Sequence, residues 1–509
     1  MTPIQQLFLG LGGAGESYWI KSITHNGTNP DTGAGMGTNV MSADGTDDGD
    51  MFFTSSSQSG PPWYPSDKDG VHIYKFDKEG TISARQSLWY AMGYKSRHTS
   101  MDSDGNMYIG IYQGKFIKLN SSFAEQVSID IDAWDFNANT PPLIFDGDYM
   151  WFYGSGGGHD DSSHGRSFVR KLSKSTLEGA PFSGSTSNDT RGLFRFANTA
   201  NFQKSGSKWY MSQRNNYIGN SAYHQLILQW DGTWNNSSEP FDKDNDLDWI
   251  RRLSGSDGGT SQANNKAIVC MTVDNGDVYA GGLNGAYGTG SGSWNDYGSR
   301  NFFGKINSSG TTQWMSNIQR SADGDGLFSF GREYTYGGGP FDLSIQNGAL
   351  YALCFGKNNT QTNKSGDKHD FTIAKLNKDT GAYISSYSIC NETDNWKMGH
   401  NNEDTSYNAL WTDTAVYFST TVDDEDRTLL LKLPIDGGIN GTYTLSGQTI
   451  KISDNSLSQG NISSSNLTFT DQGSNTTDLR SGLSNAGSSS WGGPTYHQDT
   501  VGEAIVALN

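Results

Sequence analysis

Cysteine is nearly missing from this chain: 509 residues contain three, Cys270, Cys354 and Cys390. An odd number without framework spacing excludes a disulfide scaffold and paired-cysteine metal or redox motifs, and reads as thiols buried in strands. Basic residues are also few. Lys and Arg total 36 against 54 Asp and Glu, a net charge of −18, and they are mostly single and dispersed along the chain. Such a surface repels phosphate backbones, so nucleic-acid binding is not expected. No run approaches the ~18 apolar residues that span a bilayer, so membrane insertion is not expected either. The opening Met1-TPIQQLFLGLGG has no basic residue before its apolar stretch and makes a poor signal peptide. Serine-hydrolase elbows, zinc-protease helices and phosphate loops do not occur.

What is present is a repeat. An aromatic residue in a short apolar run recurs at Phe52, Tyr108, Trp151, Tyr210, Tyr279, Tyr351 and Tyr417, spaced 43 to 72 residues apart. Each is followed by a second run carrying Lys between apolar neighbours, at Lys75, Lys118, Lys171, Lys305, Lys375 and Lys432, with Gln229 standing in once. The clearest unit reads Ala267-IVCMTV-DNGD-VYAGG, a long excursion, then Asn301-FFGKIN-SSG-TTQWMSNI. That is strand, tight turn, strand, excursion, strand, turn, strand. A unit that cannot bury its own face must stack on its neighbours, and four strands repeated seven times predicts an all-β fold, a seven-bladed β-propeller. Glycine at 64 residues and aromatics at 12% suit many short strands and turns. The repeated aromatics are expected to wedge between blades, and the lysines to pack their stems there with the charge reaching solvent or a carboxylate.

Three regions follow: an N-terminal segment over residues 1–25, a propeller over 26–435, and a Ser/Asn/Gly-rich extension over 436–509. Either Gln448 to Ser453 or Tyr18-WIKSI supplies the strand that closes the last blade, and both readings stay open at this point. Ile4, Leu7, Phe8, Leu9 and Leu11 form an apolar cluster with no place in the repeat, and are expected to bury themselves on a partner as an assembly anchor.

Two polar clusters invite a metal. Asp242, Asp244, Asp246 and Asp248 alternate like the start of a calcium loop, but Leu247 and Leu253 occupy the positions where an EF-hand needs Gly and Glu. They are the candidate calcium ligands. His159-DDSSH164 offers two imidazoles and two carboxylates without a zinc spacing, and reads as a solvated loop. Glycosidases need two carboxylates about 5 to 9.5 Å apart, which a sequence with 54 acidic residues does not single out. Lys378-DTGAY is similar to part of a quinoprotein docking repeat but occurs once, so no cofactor is expected.

Asp102-SDGNMYIG, Asn301-FFGKINSSG and Phe371-TIAKLNKDTG resemble a widespread bacterial β-propeller repeat, over roughly residues 40–435. That resemblance implies a fold and little about function. The first dozen residues resemble the N-terminus shared by virion structural proteins of marine tailed phages, especially those infecting cyanobacteria. This implies a non-enzymatic virion protein on a tail or capsid appendage. Other virion structural proteins and further copies of itself would be its partners, with host-surface glycan as a ligand. A polysaccharide lyase or glycosidase on the same fold, and a secreted lectin-like adhesin, are the rival readings.

Overall fold

The computed structural model describes residues 17–25, 37–45, 51–58, 69–90, 96–111, 115–130, 143–157, 165–182, 190–195, 197–215, 225–233, 247–254, 266–284, 300–320, 339–357, 369–393, 396–397, 409–422, 427–455, 457–461, 467–471, 495–497 and 501–508. The repeat folds as its turn chemistry dictates. Where the third strand ends, an Asp or Asn folds its side chain over the following amides. Thr81 N–H donates to Asp77 Oδ1 at 2.7 Å, Ala124 N–H to Asn120 Oδ1 at 2.9 Å and Thr311 N–H to Asn307 Oδ1 at 2.8 Å. This Asx turn reverses the chain in four or five residues. A left-handed residue completes it, Gly80, Gly310 or Gly381 in three sheets and Phe123 in another, at φ 62°. A phenylalanine there is strained, and its ring is held 6.0 Å from that of Phe52 in the preceding sheet.

The described strands form seven sheets. In the first, Gly37–Gly45, Met51–Gln58, Asp69–Phe76 and Ile82–Tyr90 pair in chain order. The second runs from Ser96–Met101 to Glu125–Asp130, the third from Ile144–Asp146 to Thr190–Arg195 and the fourth from Ala197–Ser205 to Leu247–Ser254. The fifth runs from Lys266–Asp274 to Thr312–Arg320 and the sixth from Gly339–Gln346 to Tyr383–Asn391.

The closing sheet is built from both ends of the chain. Ala415–Val422 and Arg427–Pro434 continue into Tyr18–His25, which pairs on its other edge with Val501–Leu508.

Each of seven apolar clusters is shared by two successive sheets. Phe52, Ile73 and Leu88 of the first sheet pack on Met107, Ile109 and Ile117 of the second. At the other end of the series, Trp19, Ile23 and Tyr417 of the closing sheet pack on Tyr74 and Phe76 of the first. The sheets therefore close into a ring, and the protein is an all-β propeller.

Of the two readings left open for the closing strand, the N-terminal one is the strand found there. Residues 18–25, assigned above to the N-terminal segment, are a central strand of the closing sheet, because Trp19, Ile20 and Ile23 supply the buried face that sheet lacks. Gln448–Asp454 does not close the ring; it pairs with Tyr383–Asn391 as an added outer strand of the sixth sheet, with Gly441–Leu445 beyond it.

The extension continues backward around the rim. Leu457–Asn461 pairs with the fifth sheet and Thr468–Asp471 with the fourth, then Thr495–His497 pairs with the first. The extension thus supplies outer strands to five sheets and covers edges that would otherwise template association. Among the described residues the second and third sheets end in their own fourth strands.

Candidate functional site

The repeated aromatic and lysine meet inside each sheet. Register places Phe52 opposite Lys75, Tyr108 opposite Lys118, Trp151 opposite Lys171, Tyr279 opposite Lys305, Tyr351 opposite Lys375 and Tyr417 opposite Lys432. In each pair the ammonium lies 5.2 to 5.9 Å from the ring centroid, a cation–π contact. In the fourth sheet Gln229 sits opposite Tyr210 and donates its amide to the phenol oxygen at 2.8 Å.

The polar ends then reach the next sheet around the ring. Lys118 Nζ donates to Lys174 O at 3.0 Å, Lys375 pairs with Asp436 at 2.7 Å and Tyr351 OH donates to the same carboxylate at 2.8 Å. Lys305 pairs with Asp277 in its own sheet at 2.8 Å and reaches Asp379 of the next at 3.6 Å. Burial works against the Lys305 and Lys375 ammonium groups, but the hydrogen bonds they make with their carboxylate and tyrosine hydroxyl partners raise both above the usual lysine range. Burial also acts to raise Asp436, yet the bonds from Lys375 and Tyr351 leave it below the usual carboxylate range.

A second stitch escaped the sequence reading. Trp19, Trp249 and Trp314, each on a fourth strand, donate their indole N–H to Lys78 O at 3.0 Å, Ser308 O at 3.0 Å and Lys378 O at 3.2 Å in the turn of the next sheet. The left-handed glycines of those turns lie flat on the same indoles, so that a Cβ at Gly80, Gly310 or Gly381 would come within 2.8, 2.9 and 2.5 Å of the ring. The spacing of Trp314 from Gly310 and of Gly381 from Lys375 was visible; that the two belong to one contact needed the ring.

These groups give cohesion. The ammonium groups held above the lysine range stay charged at neutral pH, and Tyr108, Tyr210, Tyr279 and Tyr351 are all held above the usual phenol range, burial being the largest cause in each. One consequence is testable in the fourth sheet. Gln229→Leu removes a buried donor from Tyr210 and is expected to cost about 1 kcal/mol in urea unfolding. Gln229→Lys restores the pairing of the other sheets and is expected to cost less. A larger loss for the lysine variant would show that the fourth sheet has diverged around its glutamine.

Of the sequence-derived candidates, Asp248 is the second residue of the strand Leu247–Ser254, is exposed and is paired with Lys208 at 2.8 Å. Asp242, Asp244 and Asp246 lie outside the described residues, as do the histidines at 159 and 164 and the anchor residues Ile4, Leu7, Phe8, Leu9 and Leu11. Among the described residues no group of three or more His, Cys, Asp and Glu side chains converges, and no helix is long and apolar enough to cross a membrane. The turns joining first to second and third to fourth strands lie at one set of strand ends. The connections leaving the opposite ends range from the single residue 196 to residues 321–338, both outside the described residues.

A propeller is the class that this architecture defines. No family model and no curated protein matches the sequence. Solved structures to which the chain is similar include the Pan2 WD40 domain of Neurospora crassa, at 6% identity and TM-score 0.42 over 82% of this chain and 96% of that one. The Dos1 propeller matches at 8% identity and TM-score 0.37, over 79% and 93%. A mutant of the Synechocystis apocarotenoid oxygenase matches at 10% identity and TM-score 0.39, over 90% and 99%. These likenesses differ in function among themselves and assign none to this chain.

Proposed function

We propose that this protein is a non-enzymatic virion structural protein, a seven-bladed propeller displayed on a tail or capsid appendage, in which each of the seven sheets is one blade. The observation that carries this reading is the placement of Tyr18–His25. This strand directly follows the phage-like opening and is hydrogen-bonded along both edges, to Arg427–Pro434 and to Val501–Leu508. A load applied through residues 1–17 is then borne in shear by two strand ladders and by Trp19, which suits a tether between the propeller and a particle. Other virion proteins and further copies of the chain are the proposed partners. The strand ends opposite those turns, which carry connections of up to 18 residues such as 321–338, are the proposed face for host-surface glycan.

Two experiments test the reading. Deleting residues 1–13 should leave a folded propeller that no longer enters particles, because Ile4, Leu7, Phe8, Leu9 and Leu11 each contribute ~1.5 to 3 kcal/mol when buried on a partner. Recovery of the truncated chain in purified particles at normal copy number would rule out that anchor. Incubation of the full chain with host polysaccharides should leave reducing ends and unsaturated products unchanged. Cleavage abolished by replacing a channel-facing carboxylate would favour the lyase or glycosidase reading.

A further inference from the structure

Among the described residues three Asn-Gly steps occur, Asn275-Gly276, Asn347-Gly348 and Asn440-Gly441. Such a step allows an internal reaction. The glycine nitrogen, with no Cβ beside it, can approach the asparagine side-chain carbon and close a five-membered imide. Closure needs that nitrogen on the same side of the asparagine Cα–C bond as Cβ. The three steps are alike in sequence and differ in backbone.

Asn275 and Asn347 each sit in a two-residue hairpin turn, between Asp274 and Asp277 and between Gln346 and Ala349. Both residues of each turn are left-handed, at φ 51° and 88° in the first and 49° and 74° in the second. In that region ψ is about +30 to +60°, which sets the next nitrogen nearly opposite Cβ and away from the side-chain carbon. Their amides are held as well. Asn275 Nδ2 donates to Asp274 Oδ1 at 2.7 Å, and Asn347 Nδ2 donates to Asp413 O of the closing sheet at 2.7 Å.

Asn440 is placed differently. It is exposed, is not left-handed, and lies just outside the ladder that begins where Gly441 pairs with Ile452. Two residues before it, Gly438 has nothing within 4 Å of the position a Cβ would take. The bond leading into Gly441 can therefore rotate at the frayed end of a strand without undoing a turn. Asn440 Nδ2 donates to Asp454 Oδ2 at 2.7 Å, a bond exposed to water.

We propose that Asn440 is a deamidation site whose conversion loosens the outermost strand of the sixth sheet. Gly441 N bonds to Asn440 Cγ as the Cγ–Nδ2 bond breaks, and ammonia leaves with the proton from Gly441 N–H. Water then opens the imide at either carbonyl, giving aspartate or isoaspartate. Either product puts a carboxylate opposite Asp454 in place of the N–H donor, so attraction becomes repulsion across the pair. Isoaspartate also adds a carbon to the backbone entering Gly441–Leu445. Release of that strand uncovers the edge of Gln448–Asp454.

Incubation of the full chain in mildly alkaline buffer, followed by peptide mapping, tests the site. Asn440 should convert at least about tenfold faster than Asn275 and Asn347, whose reaction must wait for their turns to open. In urea the three rates should converge, because only the shared Asn-Gly step then remains. Asn440→Asp, which makes one product directly, should lower hydrogen-exchange protection over Thr442–Leu445 about twofold to fivefold and leave Ile373 of the same sheet unchanged. Equal native rates at the three sites, a ranking that persists in urea, or unchanged protection in Asn440→Asp would overturn the proposal.

Discussion

Removing residues 1–25 is expected to abolish the folded state, whereas removing residues 1–13 is expected to leave the thermal transition unchanged. The difference lies in what the strand Tyr18–His25 buries. Trp19, Ile20 and Ile23 are each 2% exposed or less, and their full burial is worth ~1.5 to 3 kcal/mol apiece. Together they amount to a large part of the 5 to 15 kcal/mol by which a native domain is ordinarily stable. The strand also fills both hydrogen-bonding edges at the centre of the closing sheet, so its loss strands Arg427–Pro434 and releases Val501–Leu508. Lys21 would leave behind the Gly80 carbonyl, to which it donates at 2.6 Å, and Glu503, with which it pairs at 2.8 Å. Far-ultraviolet circular dichroism of the two truncations, melted side by side, checks this. A cooperative transition in the chain lacking residues 1–25 would mean that the ring closes without its N-terminal strand.

Gly381→Ala is expected to destabilise the protein by about 2 to 4 kcal/mol, while Gly348→Ala costs only about 1 to 2. Both residues have left-handed backbones, at φ 70° and 74°. They differ in what a methyl group would meet. At Gly348 nothing lies within 4 Å, so alanine meets only the backbone penalty. At Gly381 the new carbon would lie 2.5 Å from Trp314, forcing the indole off the turn and breaking its 3.2 Å hydrogen bond to Lys378 O. Trp314→Ala combined with Gly381→Ala should recover the steric part of the loss, since the clash disappears with the ring. Equal costs for the two glycine variants in urea unfolding would show that the tryptophan contact contributes nothing between sheets.

The repeat was legible because its parts obey local rules. Asp77, Asn120, Asn307 and Asn377 fold their own turns, and within the four strands of each of the first six sheets pairing is between neighbours in sequence. The pairing of aromatic with lysine could be placed on adjacent strands but not in register, because the excursions between those strands differ in length from sheet to sheet and fix no count; the six aromatic–lysine ladders themselves run without a shift. Closure by two chain ends was one of two readings. Tyr18–His25 and Gln448–Asp454 have equally strand-like sequences, and only the burial of Trp19 against Phe76 and Tyr417 separates them.

The rim strands were least legible. Leu457–Asn461 reads LSQGN, with little β propensity, and is a strand because Thr312–Arg320 offers it an unfilled backbone edge.

The central claim is that one ring is closed by joining both ends of the chain. A density map of the purified full-length protein tests it most directly. The account predicts seven sheets about one axis, with Tyr18–His25 lying between Arg427–Pro434 and Val501–Leu508 in the last of them. A ring of six or eight sheets, or a last sheet completed by Gln448–Asp454 with the N-terminal strand elsewhere, would contradict it.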